Sequence, residues 1–174
     1  MDKKYFILPY IKVDGIPTLR DSEIMELYDR LVEDGLDRVM FFMEPMMTRE
    51  LFLEGVKSNG TLFYAIEDED GSIAAIAYIN RFEGKTARYH TCVYKKWWGV
   101  GGSKISLLMA DHIKGLRDEN GMPIFVRLIG YLPSIYEHTL NAALREGVSI
   151  VGCIPDYFWD YQTNKSVDAT ILYY

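Results

Sequence analysis

The sequence predicts one α/β (α+β) domain over residues 1–174, a mixed, mostly antiparallel central sheet with flanking helices, and three observations carry that reading. The chain has 174 residues, 49% of them hydrophobic, which is the length and apolar mass of one buried core. Residues 62–94 hold three apolar and aromatic runs separated by Asp68-Glu69-Asp70-Gly71 and Glu83-Gly84-Lys85. Asp-Gly is a hairpin dipeptide, so an antiparallel meander follows. Residues 86–94, 103–118 and 124–130 read strand, helix, strand, a crossover that makes its two strands parallel within an otherwise antiparallel sheet.

Taken in order, Tyr5 to Ile11 is a short apolar and aromatic segment that Pro9 confines to a sheet edge or interrupts. Asp21 or Ser22 caps a helix whose Ile24, Leu27, Tyr28, Leu31 and Val32 recur at helical spacing up to Gly35. Residues 36–47, rich in Met and Phe and broken by Pro45, are weakly periodic. They are expected to pack in the core, with an apolar pocket or partner surface as the alternative. Thr48 caps a shorter helix through Leu51, Phe52 and Val56, closed by Asn59-Gly60. The meander strands run from Leu62 to Ile66, Ile73 to Phe82 and Thr86 to Tyr94.

A helix then begins near Ser103 with Ile105, Leu108, Met109, His112, Ile113 and Leu116 on one face, and stops at Asn120-Gly121. Ile124 to Ile129 is a strand of the buried type, followed by a loop at Leu132-Pro133. Ser134-x-x-Glu137 has capping-box spacing and opens a helix to Glu146-Gly147. Strands at 149–154 and 167–174 close the chain around an aromatic hairpin region. The predicted order is β-α-α-β-β-β-α-β-α-β-β, without repeats, low-complexity segments or a linker.

Charge and cysteine content narrow the partners. Lys+Arg total 19 against Asp+Glu 25, a net charge of −6, and no basic run or helix face is present to neutralise several phosphates, so no nucleic-acid partner is expected. Cys92 and Cys153 are too few for a disulfide scaffold and stand at no metal-ligand spacing. A reduced, cytoplasmic setting and no metal are expected. The apolar part of the N-terminal segment is too short for a signal peptide, and no run approaches the ~18 residues of a membrane helix, so no membrane anchor is expected.

The most informative stretch is Val93-Tyr94-Lys95-Lys96-Trp97-Trp98-Gly99-Val100-Gly101-Gly102-Ser103-Lys104. A strand runs into three glycines and then a helix start, where converging backbone N–H groups and the helix dipole favour an anion such as phosphate. Lys104 adds a positive charge in the first turn. The alternative is a tight strand-to-helix turn and nothing more. A Walker A loop would need Gly-Lys-Ser/Thr, and the order here is Gly102-Ser103-Lys104. A dinucleotide fingerprint from Gly99 and Gly101 would have Lys104 at its third glycine, so ATP, GTP and NAD are disfavoured.

Loop and element order together resemble the GNAT superfamily of acyl-CoA-dependent N-acetyltransferases, whose cofactor loop reads Val-x-Pro-x-x-Arg/Gln-x-x-Gly-x-Gly/Ala after the fourth strand. Val93 takes the first position, Lys95 replaces the proline, Trp98 replaces Arg/Gln, Gly101 keeps the glycine and Ser103 takes the last small position; another register uses Lys96, Gly99 and Gly101. The Trp97-Trp98-Gly99-Val100-Gly101 run looks like the family branch with an aromatic before the first glycine. The resemblance implies a GNAT-like acyl-CoA N-acyltransferase fold that binds acetyl-CoA. Cofactor contacts would come from Cys92, Val93, Trp98, Gly99, Val100, Gly101, Gly102, Ser103 and Lys104. The strands at 86–94 and 124–130 would splay to admit the thioester, and the strand end at Cys92 and Val93 would pair with the pantetheine arm.

Two departures from the family pattern bear on catalysis. The usual thiolate-protonating tyrosine would fall at Ala143 or Asn141, which leaves Tyr136 as the candidate acid. The strand at 86–93 has no carboxylate, which leaves His90 as the candidate base because imidazole titrates near neutrality; a His bonded within the sheet is the alternative. His112 reads as structural and His138 as a solvated helix residue. Cys92 reads as a small strand residue rather than a nucleophile. Residues 67–70 read as a solvated acidic turn.

The expected function is direct acetyl transfer to a primary amine of a small molecule or peptide. The acidic surface would suit polyamines, aminoglycosides or a basic peptide, and the resemblance leaves room for a homodimer. The competing reading is a catalytically silent GNAT-fold binding or structural protein. It rests on the missing tyrosine and carboxylate, the aromatic cluster Tyr157, Phe158, Trp159 and Tyr161, and a resemblance to phage- or prophage-encoded GNAT-like proteins.

Overall fold

The structure, a computed structural model, describes residues 4–44, 46–99, 102–145 and 147–174, with residues 102 and 103 described by backbone alone. Its elements in chain order are β1 (Tyr5–Pro9), β2 (Lys12–Val13), β3 (Ile16–Pro17), α1 (Asp21–Glu33), α2 (Asp37–Met40), α3 (Arg49–Lys57), β4 (Leu62–Asp68), β5 (Ile73–Glu83), β6 (Thr86–Val93), α4 (Gly102–Gly115), β7 (Arg127–Pro133), α5 (Glu137–Arg145), β8 (Ser149–Asp160) and β9 (Lys165–Tyr173). A 3₁₀ turn at Lys95–Trp97 lies between β6 and α4. Seven strands form one sheet in the order β1-β4-β5-β6-β7-β9-β8. Among the described residues only β6 and β7 are parallel, and every other pair in that sheet is antiparallel. This is the mixed, mostly antiparallel sheet that the sequence predicts, with β1 at the edge where Pro9 places it.

Local chemistry explains the helices flanking it. At the start of α1, Glu23 rather than Asp21 or Ser22 does the capping: its carboxylate accepts the Arg20 backbone N–H at 2.7 Å, satisfying an N–H that the helix cannot. Gly35, at φ 63°, takes the left-handed conformation that closes α1, where a side chain would be strained. Thr48 caps α3 by accepting from Leu51 N–H at 3.3 Å. Ile24, Leu27, Tyr28, Leu31, Phe52 and Val56 bury the inner faces of α1 and α3 against the face of the sheet that carries Phe63, Ala65 and Ile76. Across the sheet, Ile105, Met109 and Ile113 of α4 are fully buried.

Several boundaries and roles differ from expectation. The small β2–β3 hairpin turns on Asp14 and Gly15, both at positive φ. The parallel partner of β6 begins at Arg127, not Ile124, because Ile124 and Val126 are exposed and only Phe125 points into the core; Leu132-Pro133 ends that strand rather than forming a loop. Ser134 does not cap α5: its N–H goes to the Asp168 carbonyl and its hydroxyl pairs with Thr170 at 3.1 Å. Leu108 and His112 are exposed and lie off the buried face of α4. The last two strands are longer than predicted and form one hairpin, so Tyr157, Phe158 and Trp159 belong to β8.

The acidic turn is not wholly solvated either. Asp68 is 3% exposed and accepts hydrogen bonds from Asp70 N–H, Ser72 N–H and the Trp97 indole. Burial opposes its charge, but these donors and nearby Lys96 outweigh that and hold the carboxyl below its usual range.

Candidate functional site

The site starts from a mismatch in strand pairing. β6 pairs with β5 along its length, from Asn80–Arg88 to Ala75–Val93, but with β7 only from Thr86–Arg127 to Arg88–Ile129. Beyond that point the β6–β7 ladder stops while β7 continues to pair with β9 along its other edge, so a gap opens between the two parallel strands. The hydrogen bond from Tyr94 N–H to Ala74 carbonyl at 3.0 Å fixes the antiparallel alternation. Ala75–Val93 and Ala77–Thr91 are therefore the non-hydrogen-bonded pairs, whose peptide groups face away from β5. The backbones of Thr91 and Val93 thus present themselves to the gap. Cys92, expected to share that role, turns its own peptide toward β5.

At the end of the gap lies the turn into α4. The Trp97 indole is 4% exposed and bonded to Asp68 at 3.1 Å; Lys95 N–H donates to the Asp34 carboxylate at 2.8 Å. Trp98 is 53% exposed, and its indole N–H donates to the Val93 carbonyl at 2.8 Å. Gly99 has φ 78°, a conformation that lets the chain reverse there without strain. Gly102 and Ser103 lie in the first turn of α4, and Lys104 follows, exposed. Val100 and Gly101 lie outside the described residues.

On the α1–α2 side of the sheet a cavity of about 230 Å³ is lined by Met40, Phe42, Glu44, Asn80, Arg81, Arg88, His90, Tyr131 and Phe158, among others. The alternation of β6 sends Arg88 and His90 into it, while Tyr89 goes to the opposite face and donates to the Ser106 carbonyl of α4 at 2.9 Å. A bulge between Asn80 and Glu83 interrupts β5, and Arg81 there adopts φ 50°. Bulges of this kind re-aim a side chain, and here the side chain joins the cavity wall. His90 stacks on Tyr78 with ring centroids 4.2 Å apart. Arg88 lies 4.4 Å above the Tyr131 ring and donates to Tyr157 hydroxyl at 3.3 Å.

Electrostatics set His90 apart. Burial, then the guanidiniums of Arg88 and Arg81, lower its imidazole to about 3, so the ring is neutral at physiological pH. Its Nε2 is buried and has no hydrogen-bond partner, and neither has Asn80 Oδ1. Burial pushes the Cys92 thiol up to about 12, which removes the thiolate that a nucleophile would need. Tyr136 is not part of the cavity lining: it packs edge-on against Phe42 at 5.8 Å, one ring behind the wall. The structure therefore brings His90 to a cavity and sets Tyr136 behind it. Arg88 is the residue that sequence reasoning passed over, although strand alternation from His90 pointed to it.

Among the described residues, no group of three or more His, Cys, Asp or Glu is placed to hold a metal ion. None of the helices described is long and apolar enough to cross a membrane.

A sheet splayed between its parallel strands, with a glycine turn leading into a helix at the open end, is the architecture of the N-acetyltransferase fold predicted from the sequence. Among solved structures, the chain is similar to spermidine N-acetyltransferase from Vibrio cholerae in complex with CoA and spermine, with a TM-score of 0.69 at 10% identity over 98% of this chain and 94% of that one. It is also similar to RimL, a ribosomal-protein alpha-N-protein acetyltransferase in complex with coenzyme A (TM-score 0.68, 15% identity, 90% of each chain). A third is an enzyme provisionally described as a phosphinothricin N-acetyltransferase (TM-score 0.67, 18% identity, 98% and 97% of the two chains). At these identities the likeness is one of fold. No protein-family model and no curated protein matches the chain.

Proposed function

We propose that the protein is an acetyl-CoA-dependent N-acetyltransferase that moves an acetyl group directly to an amine. The observation that carries this is the gap between β6 and β7, flanked by the peptide groups of Thr91 and Val93 on the same strand that carries a neutral, unpartnered imidazole into the cavity. Solved enzymes of the same fold include complexes with CoA, which supports the reading. Val93, Trp98, Gly99, Val100, Gly101, Gly102, Ser103 and Lys104 hold the CoA side: backbone N–H groups at the turn and the first turn of α4 take its phosphates, with Lys104 nearby. Acetyl-CoA supplies the activated acetyl thioester.

The chain's own contribution is positioning, a proton path and a polarised carbonyl. The Val93 or Thr91 N–H, facing the gap, donates to the acetyl carbonyl oxygen as negative charge develops on it. The acceptor enters as the free amine, its ammonium proton left with water, and His90 Nε2 accepts a hydrogen bond from its N–H. The C–N bond forms as the C–S bond breaks; the nitrogen passes its proton to His90 Nε2, water relays it onward to replenish the acid, and the sulfur gains one from that acid. Tyr131, the phenol in the cavity lining on the β7 side, supplies that proton in place of Tyr136. Holding amine and thioester together accounts for much of the rate.

Thermal melts with CoA and acetyl-CoA, together with thiol release from acetyl-CoA across a panel of amines, test the reading. Stabilisation by both nucleotides and thiol release with at least one amine are expected, with release reduced by about 10²-fold or more in His90→Gln. Absence of both stabilisation and release overturns it.

A further inference from the structure

The cavity that holds His90 has a charge pattern at odds with the chain around it. The protein carries a net charge of −6, yet the cavity lining brings together two guanidiniums, Arg81 and Arg88, and one carboxylate, Glu44. Neither guanidinium is ion-paired among the described residues, whereas the exposed Arg20 and Arg49 both are. Arg88 meets only a tyrosine hydroxyl and a ring face. Arg81 is held in the left-handed conformation by a bulge that interrupts the ladder between β5 and β6, beside Asn80, the register partner of Arg88. Two buried polar atoms, His90 Nε2 and Asn80 Oδ1, also lack partners. Buried polar groups are ordinarily satisfied, so a cavity with two unsatisfied atoms and two unpaired cations has the composition of a binding site.

We propose that the acceptor is a small amine bearing its own carboxylate, or an oxyanion of similar shape, which Arg81 and Arg88 receive while the amine lies at His90. Its side chain is apolar, to match Met40, Phe42 and Phe158. The inference rests on the acetyl-transfer reading of this site and narrows it to acceptors of amino-acid type. A polyamine would set its cations against two guanidiniums with only Glu44 to offset them, an arrangement that disfavours it. The volume of about 230 Å³ lies below the ~300–1,000 Å³ of drug-sized pockets, which fits a molecule of amino-acid size.

Recognition and chemistry reinforce each other here. The titratable groups lining the cavity with His90 are Arg88 on its own strand, Tyr78 and Arg81 on β5, Tyr131 on β7 and Glu44 after α2. An anion between the two guanidiniums cancels part of the field that lowers the proton affinity of His90, so the imidazole becomes a stronger base when the acceptor is bound.

Calorimetric titration of the CoA-saturated protein tests the inference, with phenylalanine, methionine and leucine set against their decarboxylated amines and against spermidine. At least one amino acid is expected to bind about 10- to 100-fold more tightly than its decarboxylated amine, the range of one or two charge-assisted hydrogen bonds. Arg88→Gln and Arg81→Gln should each erode that ratio while changing the affinity of the decarboxylated amine by no more than about threefold. Arg81 is exposed, so its variant serves even where Arg88→Gln disturbs folding. Equal or tighter binding of decarboxylated amines or spermidine, no binding by any amino acid, or a ratio unchanged in both variants overturns the inference. The readout is binding, so carboxylate discrimination with neither stabilisation by CoA nor thiol release would defeat the acetyl-transfer reading and leave the cavity's selection of a carboxylate standing, and thiol release with spermidine alone would do the reverse.

Discussion

The turn after β6 and the cavity beneath it share one strand and treat their polar groups in opposite ways. In the turn every anchor has a partner: Trp97 on Asp68, Lys95 N–H on Asp34, Trp98 on Val93, and Tyr94 hydroxyl on the Leu27 carbonyl at 2.8 Å. In the cavity His90 Nε2 and Asn80 Oδ1 have none. The difference separates a region whose polar chemistry is consumed in holding its own shape from one whose polar chemistry is left over for a ligand. A region of the first kind should be costly to mutate in stability. One of the second kind should be cheap to mutate in stability and costly in function.

Trp97→Ala gives the largest effect. It empties a buried site and leaves the Asp68 carboxylate without one of its three N–H donors, so a loss of about 3–5 kcal/mol in denaturant unfolding is expected. Trp97→Phe keeps most of the volume and loses only the indole N–H, at about 1–3 kcal/mol. If both variants unfold like the wild type, the turn is not held as described and the contrast with the cavity fails.

His90 is the cavity's own stability signature, and it appears only in acid. Its folded value, about 3, lies below the ordinary 6.5, so the unfolded chain binds the extra proton first as pH falls. Stability contributed by the neutral buried ring is complete above pH ~6.5 and is lost progressively down to about 3. At pH 4.5 the loss attributable to this residue should be about 2–3 kcal/mol. Unfolding curves at pH 7.5 and 4.5 check this: His90→Gln should fall less than the wild type between the two. Equal losses would mean that the imidazole is hydrated and protonates normally.

How much of this was readable in advance follows from the range of the interactions. The central meander, the parallel crossover and the glycine turn rest on turn residues and periodicity, which are local. The β2–β3 hairpin carries its own Asp14-Gly15 signal in the sequence but has strands of two residues, too short to show a period. β7 starts at Arg127 rather than Ile124 because Ile124 and Val126 are apolar yet exposed, and an apolar run without alternation does not locate a strand's start. His90 was legible from its chemistry, and Arg88 from the strand period. Arg81 was not, because a bulge breaks that period. The seating of Glu44 and Phe42 in the cavity wall follows the pocket alternative that the sequence offers for this weakly periodic segment beside its core reading, and the choice between the two depends on tertiary packing.

Trp98 offers the finest test, because it sits beside Trp97 and differs from it only in surroundings. Its ring is 53% exposed, so Trp98→Phe removes little burial and one surface hydrogen bond, and unfolding should shift by less than about 1 kcal/mol. Its indole N–H, however, occupies the Val93 carbonyl beside the gap, and losing it frees that carbonyl and loosens the turn where CoA is proposed to bind. CoA affinity measured by calorimetry should therefore fall by about three- to tenfold while stability barely changes. A stability loss approaching that of Trp97→Ala would place both tryptophans in the scaffold. An unchanged CoA affinity would remove Trp98 from the cofactor contacts and leave the backbone N–H groups of the turn and α4 to hold the phosphates.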